Sequence, residues 1–330
     1  MTLIGAEARR GPGASVLLAT YNRRRLLSAV LEPLLADPAT DEIVVVVDGC
    51  DDGSFELLTE IAQRDDRLKP CRVARGGAAR ALLAGAHAAS GDVLVVLDDD
   101  EIIDPGTISG HVRHHHGQDD LVVVGYVAMV FPARRRQGDF GRYVYAEQYA
   151  RDCESWDADP SLILRNLWGG FISMRRGNYI RAMETAHDFV DGYHYDLDFG
   201  ARCMELGFRA VFDRSLRARH LYERDGPAYL RDARSSGRNR ILIHRAHPTV
   251  LTPIDPTFVD RELPRIGRSA LATALRYPLV ERLVRAATNA AGRLRLWELE
   301  NKGAGLMWAI EQKRGALEAI DPTVVQPPRS

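Results

Sequence analysis

Asp98-Asp99-Asp100 close an apolar run, Val93-Leu94-Val95-Val96-Leu97. A run of that length, bounded by Gly91-Asp92 and by carboxylates, predicts a buried parallel strand. The C-terminal edge of such a strand is where open α/β sheets place their ligands. Three carboxylates crowded there repel one another unless a positive charge joins them. A hard divalent cation, Mg²⁺ or Mn²⁺, that also holds a diphosphate meets that need, because it takes oxygen ligands and keeps substrate phosphates in its shell. Taken alone, the triplet reads equally as a solvated acidic turn.

Two other predicted strand ends carry complementary groups. Ser15–Ala19 runs into Thr20-Tyr21-Asn22-Arg23, which puts an aromatic ring at the same sheet edge, where a nucleobase can stack. Ile43–Val47 runs into Asp48-Gly49-Cys50-Asp51-Asp52-Gly53-Ser54, which puts a carboxylate there to accept from a base N–H. The glycines permit a tight turn and close backbone approach, though an Asx-turn explains them as well. Further on, Tyr195-Asp196-Leu197-Asp198 opens a predicted helix, with Asp198 and Arg202 spaced to pair. His220 follows a strand and loop over Arg209–Arg219.

Other features read more plainly. In His114-His115-His116, adjacent helical residues point in different directions, so the triplet reads as a solvated helix end. Trp168-Gly169-Gly170 is either an acceptor contact or a buried Trp at a strand entry. Arg238-Asn239-Arg240 is either a mobile basic segment or a solvated helix face.

The elements that must position these groups alternate through the first half. Strands at Ser15–Ala19, Ile43–Val47, Cys71–Val73 and Val93–Leu97 are followed by helices over Arg23–Leu35, Ser54–Gln63, Gly77–Ala89 and Pro105–His116, with Ser54 as an N-cap. This is a βαβ rhythm and predicts an α/β fold with a Rossmann-like, mostly parallel sheet and helices on both faces. After Leu121 the rhythm changes: strands at Leu121–Phe131, Phe171–Met174 and Arg209–Phe212, a helix over Tyr195–Leu206, and mostly helix from Ala228 onward, including an amphipathic pair over Ala270–Glu318. A soft boundary falls near Asp225-Gly226-Pro227.

Composition removes several classes. With 44 Lys+Arg against 45 Asp+Glu, the net charge is −1, which argues against nucleic acid as a main partner. The four cysteines have no C-x-x-C spacing, as in a reduced cytoplasmic protein. Met1–Gly13 has no apolar core of a signal peptide. The longest apolar run, Leu121–Phe131, is far below the roughly 20 residues that span a bilayer. Arginines among the C-terminal apolar positions leave peripheral membrane contact open. Glu281, Glu298 and Glu300 weaken that reading, and packing on the rest of the chain or a homodimer through these helices is preferred.

The ordered set resembles the family two glycosyltransferases of the GT-A fold. The resemblance rests on Ser15–Arg23, Asp48–Ser54, Gly91–Asp100, Ser173-Met174-Arg175-Arg176, Tyr195–Asp198, Arg202, Gly207 and His220, and it covers about residues 14 to 245. It implies a GT-A catalytic domain over 14–225, with a nucleotide-binding half at 14–117 and an acceptor half at 118–225. A flexible N-terminus precedes it at 1–13; a helical C-terminal region at 226–322 and a frayed tail at 323–330 follow. It implies an inverting, metal-dependent transfer from a nucleotide-sugar donor, UDP-sugar first, to a glycan, lipid-linked or small-molecule acceptor. Asp196 is then the general base. Asp98, Asp100 and His220 are ligands of Mn²⁺ or Mg²⁺. Thr20, Tyr21, Asn22, Arg23, Asp48, Asp98, Asp99 and Arg240 bind the donor.

The chain departs from the family pattern in three places. Leu82-Leu83 stands where the family carries Arg-Asn, with Arg80 displaced; Tyr195 replaces a Glu; Phe171 replaces an Asn. Two other readings stay open: a GT-A-like nucleotidyltransferase, although strand one lacks a Gly-rich activation loop, and a sugar-nucleotide binding module without turnover, which Tyr195 favours.

Overall fold

The computed structural model describes residues 13–185, 192–222 and 226–321. The predicted N-terminus, except Gly13, and the predicted tail at 323–330 lie outside the described residues. In chain order the elements are β1 (Ala14–Thr20), α1 (Arg24–Ala36), β2 (Glu42–Asp48), α2 (Ser54–Ala62), β3 (Leu68–Val73), α3 (Ala78–Ala88) and β4 (Val93–Leu97). Next come β5 (Glu101–Ile103), α4 (Thr107–His114), β6 (Leu121–Met129), α5 (Phe140–Ala158), β7 (Phe171–Arg175), α6 (Arg176–Met183), α7 (Tyr195–Glu205) and β8 (Arg209–His220). The chain closes with α8 (Gly226–Ala246), α9 (Phe258–Arg261), α10 (Arg265–Arg276), α11 (Pro278–Arg293) and α12 (Trp297–Glu318).

These elements form two compact units that interleave along the chain. One takes residues 1–128, 169–184 and 208–219; the other takes 129–168, 185–207 and 220–330.

The first unit holds the eight-stranded sheet, ordered β3-β2-β1-β4-β7-β6-β8-β5. β2 is Glu-Ile-Val-Val-Val-Val-Asp, with Ile43–Asp48 all buried, as a strand covered on both faces requires. Side-chain alternation assigns the layers. Val16, Leu18, Val45 and Val47 join a core with Leu27, Leu31 and Leu58 of α1 and α2. Leu17 and Val46 meet α3 at Gly85 on the opposite face. The edge strand β3 tolerates Pro70 because an edge position can spare one ladder donor.

The expected mostly parallel sheet is mixed. β3, β2, β1 and β4 run parallel, but β7 pairs antiparallel with β4 and with β6. Two local expectations also change. Ser54 is not the cap of α2: Gly53 occupies that position, and Asp52 Oδ1 accepts from the Ser54 amide at 3.1 Å. β8 is one strand through His220 where a strand and loop were predicted.

His115 is fully buried, contrary to the solvated helix end expected for the triplet. His111 Nδ1 and His115 Nε2 each lie 2.8 Å from Ser173 Oγ of β7. The hydroxyl can donate to one ring and accept from the other. His114 pairs with Asp213 at 2.8 Å. Burial pushes His111 down to about 3, helped by His115 and His114. It pushes His115 down to about 4, helped by the Arg175 charge.

Both rings are therefore neutral when folded, and unfolding restores a value near 6.5. The unfolded chain binds more protons below that pH, so this stability is complete above about 6.5 and is lost as pH falls toward 4 and 3. In chemical denaturation from pH 7 to 4.5, the wild type should lose stability more steeply than His111→Gln, by on the order of 1 kcal/mol or more. Parallel curves would show that the rings do not carry this dependence.

The second unit is helical. α12 packs on α8, α11 and α5, and α10 packs on α11 and α12. Ile241, Phe258, Leu271, Ala309 and Ile310 form one of its cores. No helix among the described residues is long and apolar enough to cross a membrane.

Candidate active site

The ends of β1, β2 and β4 are tied together by the residues singled out above. Thr20 Oγ1 donates to Asp99 Oδ2 at 2.7 Å, and Arg23 Nη1 reaches Asp100 Oδ2 at 3.0 Å. Asn22 takes a left-handed conformation, φ 55°, and its amide donates to Cys50 Sγ at 3.4 Å. Asn tolerates that backbone better than most residues. Thr20, Asn22 and Arg23 thus latch the first turn to the second and third. Asp100 is the buried member of the triplet, 7% exposed, and Asp99 beside it is half-buried. Burial and the neighbouring Asp100 raise the Asp99 carboxyl to about 6, against the pull of the Thr20 hydroxyl and Arg23.

Asp48, the expected base acceptor, ends β2 and is 4% exposed. Its Oδ1 accepts from the Gly76 amide at 2.7 Å and its Oδ2 from the Gly77 amide at 3.0 Å. This carboxylate shapes the loop into α3. That loop carries Arg75, whose guanidinium lies 3.2 Å over the Tyr21 ring while Tyr21 remains 42% exposed. Gly49 makes the approach feasible: its φ is +63° and a Cβ there would stand 2.4 Å from the Arg75 amide nitrogen. Sequence reasoning missed Arg75, although an Arg after the third strand is a visible signal.

The acidic edge has a fourth member. Glu101 is buried, its Oε2 has no hydrogen-bond partner among the described residues, and burial with the charges of Asp98 and Asp100 holds its carboxyl well above the usual range. Gly170 presses on this edge: its carbonyl accepts from the Asp98 amide at 2.9 Å, and a Cβ would sit 2.7 Å from Asp98 Oδ2. Among the described residues, no three His, Cys, Asp or Glu side chains are gathered into a ready metal cage. The donor set still suits a hard divalent cation: several oxygens, excess negative charge and an orphaned buried carboxylate oxygen. A cavity of about 460 Å³ lies at the opposite edge of the sheet, between Ser15, Glu42, Lys69 and Gly91. It touches none of these groups.

The second unit holds Asp196, Asp198, His220 and Arg240. Asp196 and Asp198 occupy the first turn of α7. Asp198 is 1% exposed, accepts from His247 at 2.7 Å and pairs with Arg202 at 3.3 Å, as the i, i+4 spacing implies. Burial alone would lower His247, but its bonds to Asp198 and Glu205 outweigh that and raise it. Asp196 is half-buried and its Oδ1 accepts from the Leu197 amide at 2.9 Å.

Three residues of α8 pin the entry to α7. Ser235 accepts from the Tyr193 amide at 3.2 Å, Ser236 meets His194 Nε2 at 2.8 Å, and Asn239 donates to the Tyr193 carbonyl at 2.7 Å. Burial, with Arg240 and His244 nearby, lowers His194 to about 3 and keeps it neutral. The segment around Arg240 is thus the interior of a helix, not a mobile loop. Arg240 pairs with Glu262 at 2.7 Å and stacks 4.4 Å over Phe258. His220, 7% exposed, sits edge-on to Tyr145 and Tyr222 at 5.5 and 5.6 Å. Trp168 meets Tyr145 at 4.7 Å and donates to Asp152 at 2.9 Å. Burial raises the Asp152 carboxyl. Tyr145 and Asp152 lie on α5, which the sequence reading missed.

Residues 15–177 match the family model described as glycosyl transferase family 2. That segment, just under half of the chain, belongs to the family. The chain is 33% identical over 118 residues to an uncharacterized glycosyltransferase, alr2836, of Nostoc sp., covering 35% of this chain and 37% of that one. It is 24% identical over 216 residues to a glucosyl-dolichyl phosphate glucuronosyltransferase of Haloferax volcanii, covering 62% and 68%. The aligned part thus spans little more than a third of the Nostoc relative. In fold it is similar to a mannosyltransferase of Pyrobaculum calidifontis solved with GDP-mannose and Mn²⁺. The TM-score is 0.53 at 16% identity, over 96% of this chain and 89% of that one. The fold is therefore GT-A with a helical C-terminal region.

Proposed function

We propose that this chain transfers a glycosyl group from a nucleoside-diphosphate sugar, UDP-sugar first, to an acceptor hydroxyl with inversion at the anomeric carbon. One observation carries the reading: the Thr20–Asp99 and Arg23–Asp100 bonds join the aromatic turn to the acidic turn at one sheet edge. The solved mannosyltransferase, with its nucleotide sugar and Mn²⁺, supports it.

Asp98, Asp100 and His220 would hold Mn²⁺ or Mg²⁺; an imidazole donor favours Mn²⁺. When bound, such an ion neutralises charge developing on the leaving diphosphate. Tyr21 offers its ring to the base, with Arg75 on one face, and Asp48 holds the loop that brings Arg75 there. Asp196 takes the proton of the acceptor hydroxyl as its oxygen attacks the anomeric carbon. The bond to the diphosphate breaks on the opposite side, and its electron pair leaves with the diphosphate. Asp198 is a positioning residue that fixes α7 through Arg202 and His247. Arg240 contributes only if it leaves Glu262. Tyr145 and Trp168 are aromatic surfaces of the kind that pack on glycan acceptors, and the dolichyl-phosphate-linked substrate in the Haloferax relative's name favours a lipid-linked one.

A second reading, binding without turnover, is favoured by Tyr195, which leaves one carboxylate where the family has two. Calorimetric titration with UDP and GDP, with and without Mn²⁺, tests the donor side. We expect metal-dependent binding of one of them, weakened in Tyr21→Ala by about 1–3 kcal/mol, the worth of one base–aromatic stack. Unchanged affinity in that variant would move Tyr21 out of the site. No binding of either nucleotide would count against the donor class.

A further inference from the structure

We propose that the outward face of α10 and α11 docks on an anionic lipid bilayer. α11 carries two apolar faces. Val280, Val284 and Ala291 point inward, to the cores shared with α12 and its neighbours or to buried positions. Leu279, Leu283, Ala286 and Ala290 recur at helical spacing and are all exposed, with Leu279 at 66% and Leu283 at 59%. Apolar exposure is concentrated in this stretch. Of ten large apolar side chains exposed among the described residues, seven fall between Ile266 and Leu299.

Charge identifies the occupant. Residues 264–297 contain seven arginines and one acidic residue, Glu281, a net of +6 in a chain whose total is −1. All seven arginines are exposed. Two of the three glutamates that spoke against a membrane from sequence turn inward. Glu281 pairs with Arg314 at 2.7 Å, and Glu300, 1% exposed, pairs with Arg135 at 2.8 Å. Glu298 stays exposed beside Lys302. A helix face that is apolar along one stripe and arginine-rich beside it fits the headgroup layer of an anionic bilayer. A second copy of the same face would set like charges against each other.

Flotation of the full chain with phosphatidylcholine vesicles, with and without phosphatidylglycerol, tests this independently of any transferase activity. The wild type should float with the anionic vesicles and be released by high salt. Arg282→Glu should weaken binding about fivefold or more. Leu279→Ser with Leu283→Ser, at exposed positions that leave the cores intact, should abolish flotation without altering nucleotide affinity. No flotation with either vesicle, equal flotation with both, or wild-type flotation of the double variant would overturn the proposal. So would light scattering that shows a dimer dissociated by the same two changes.

Discussion

Asp196→Asn should lower turnover by roughly 10²–10⁴-fold, the usual worth of a general base, while nucleotide and metal affinity stay close to wild type. The amide keeps the volume and an acceptor for the Leu197 amide, so α7 keeps its first turn. Asp198→Asn should behave in the opposite way. It leaves Arg202, 0% exposed, and His247 facing a neutral partner, and loss from a buried charged pair costs about 3–5 kcal/mol. Its unfolding midpoint should fall sharply, and the folded fraction should retain turnover. Steady-state kinetics beside thermal melts of the two variants check this. Near-wild-type turnover in Asp196→Asn, with a folded but inactive Asp198→Asn, would place the base two residues further along.

Chelation of the wild type should abolish transfer, and Mn²⁺ or Mg²⁺ should restore it. Stabilisation of the leaving diphosphate by a cation is worth several kcal/mol. Asp100→Ala should therefore lose on the order of 10³-fold in turnover, as well as donor affinity. The substitution also removes the partner of Arg23. The chelation arm separates the two effects, because it changes no side chain. Full activity in chelator would remove the metal from the account.

In the first half β3, Leu68–Val73, is not an apolar run and only Cys71–Val73 of it was read, but β1, β2 and β4 were legible because continuous apolar runs fix existence and extent well. They do not fix direction. Val93–Leu97 and Phe171–Arg175 are each five residues long, yet one runs parallel to β1 and the other antiparallel to β4. α5 was missed because Tyr, Arg, Glu and Asp fill most of its length, and its buried positions, Phe140, Gly141, Tyr149, Cys153 and Trp156, are widely spaced. The histidine triplet misled because the informative spacing is four: His111 and His115 share a face that the run of three conceals.

The candidate site divides the same way. The acidic triplet, Tyr21 and the Asp198–Arg202 pair are local patterns and could be read. The bonds from the Gly76 and Gly77 amides to Asp48, 28 and 29 residues away, could not be read. The pinning of α7 by Ser235, Ser236 and Asn239 is equally non-local, 42 to 46 residues distant.

The most direct test is slow donor hydrolysis. The wild type is incubated with a panel of UDP- and GDP-sugars and Mn²⁺, without acceptor, and free nucleoside diphosphate is measured. Release from at least one donor, lost with chelator and in Asp100→Ala, is the predicted result. Release from none of the panel, or release that persists unchanged in chelator and in Asp100→Ala, would contradict metal-dependent transfer from a nucleotide sugar.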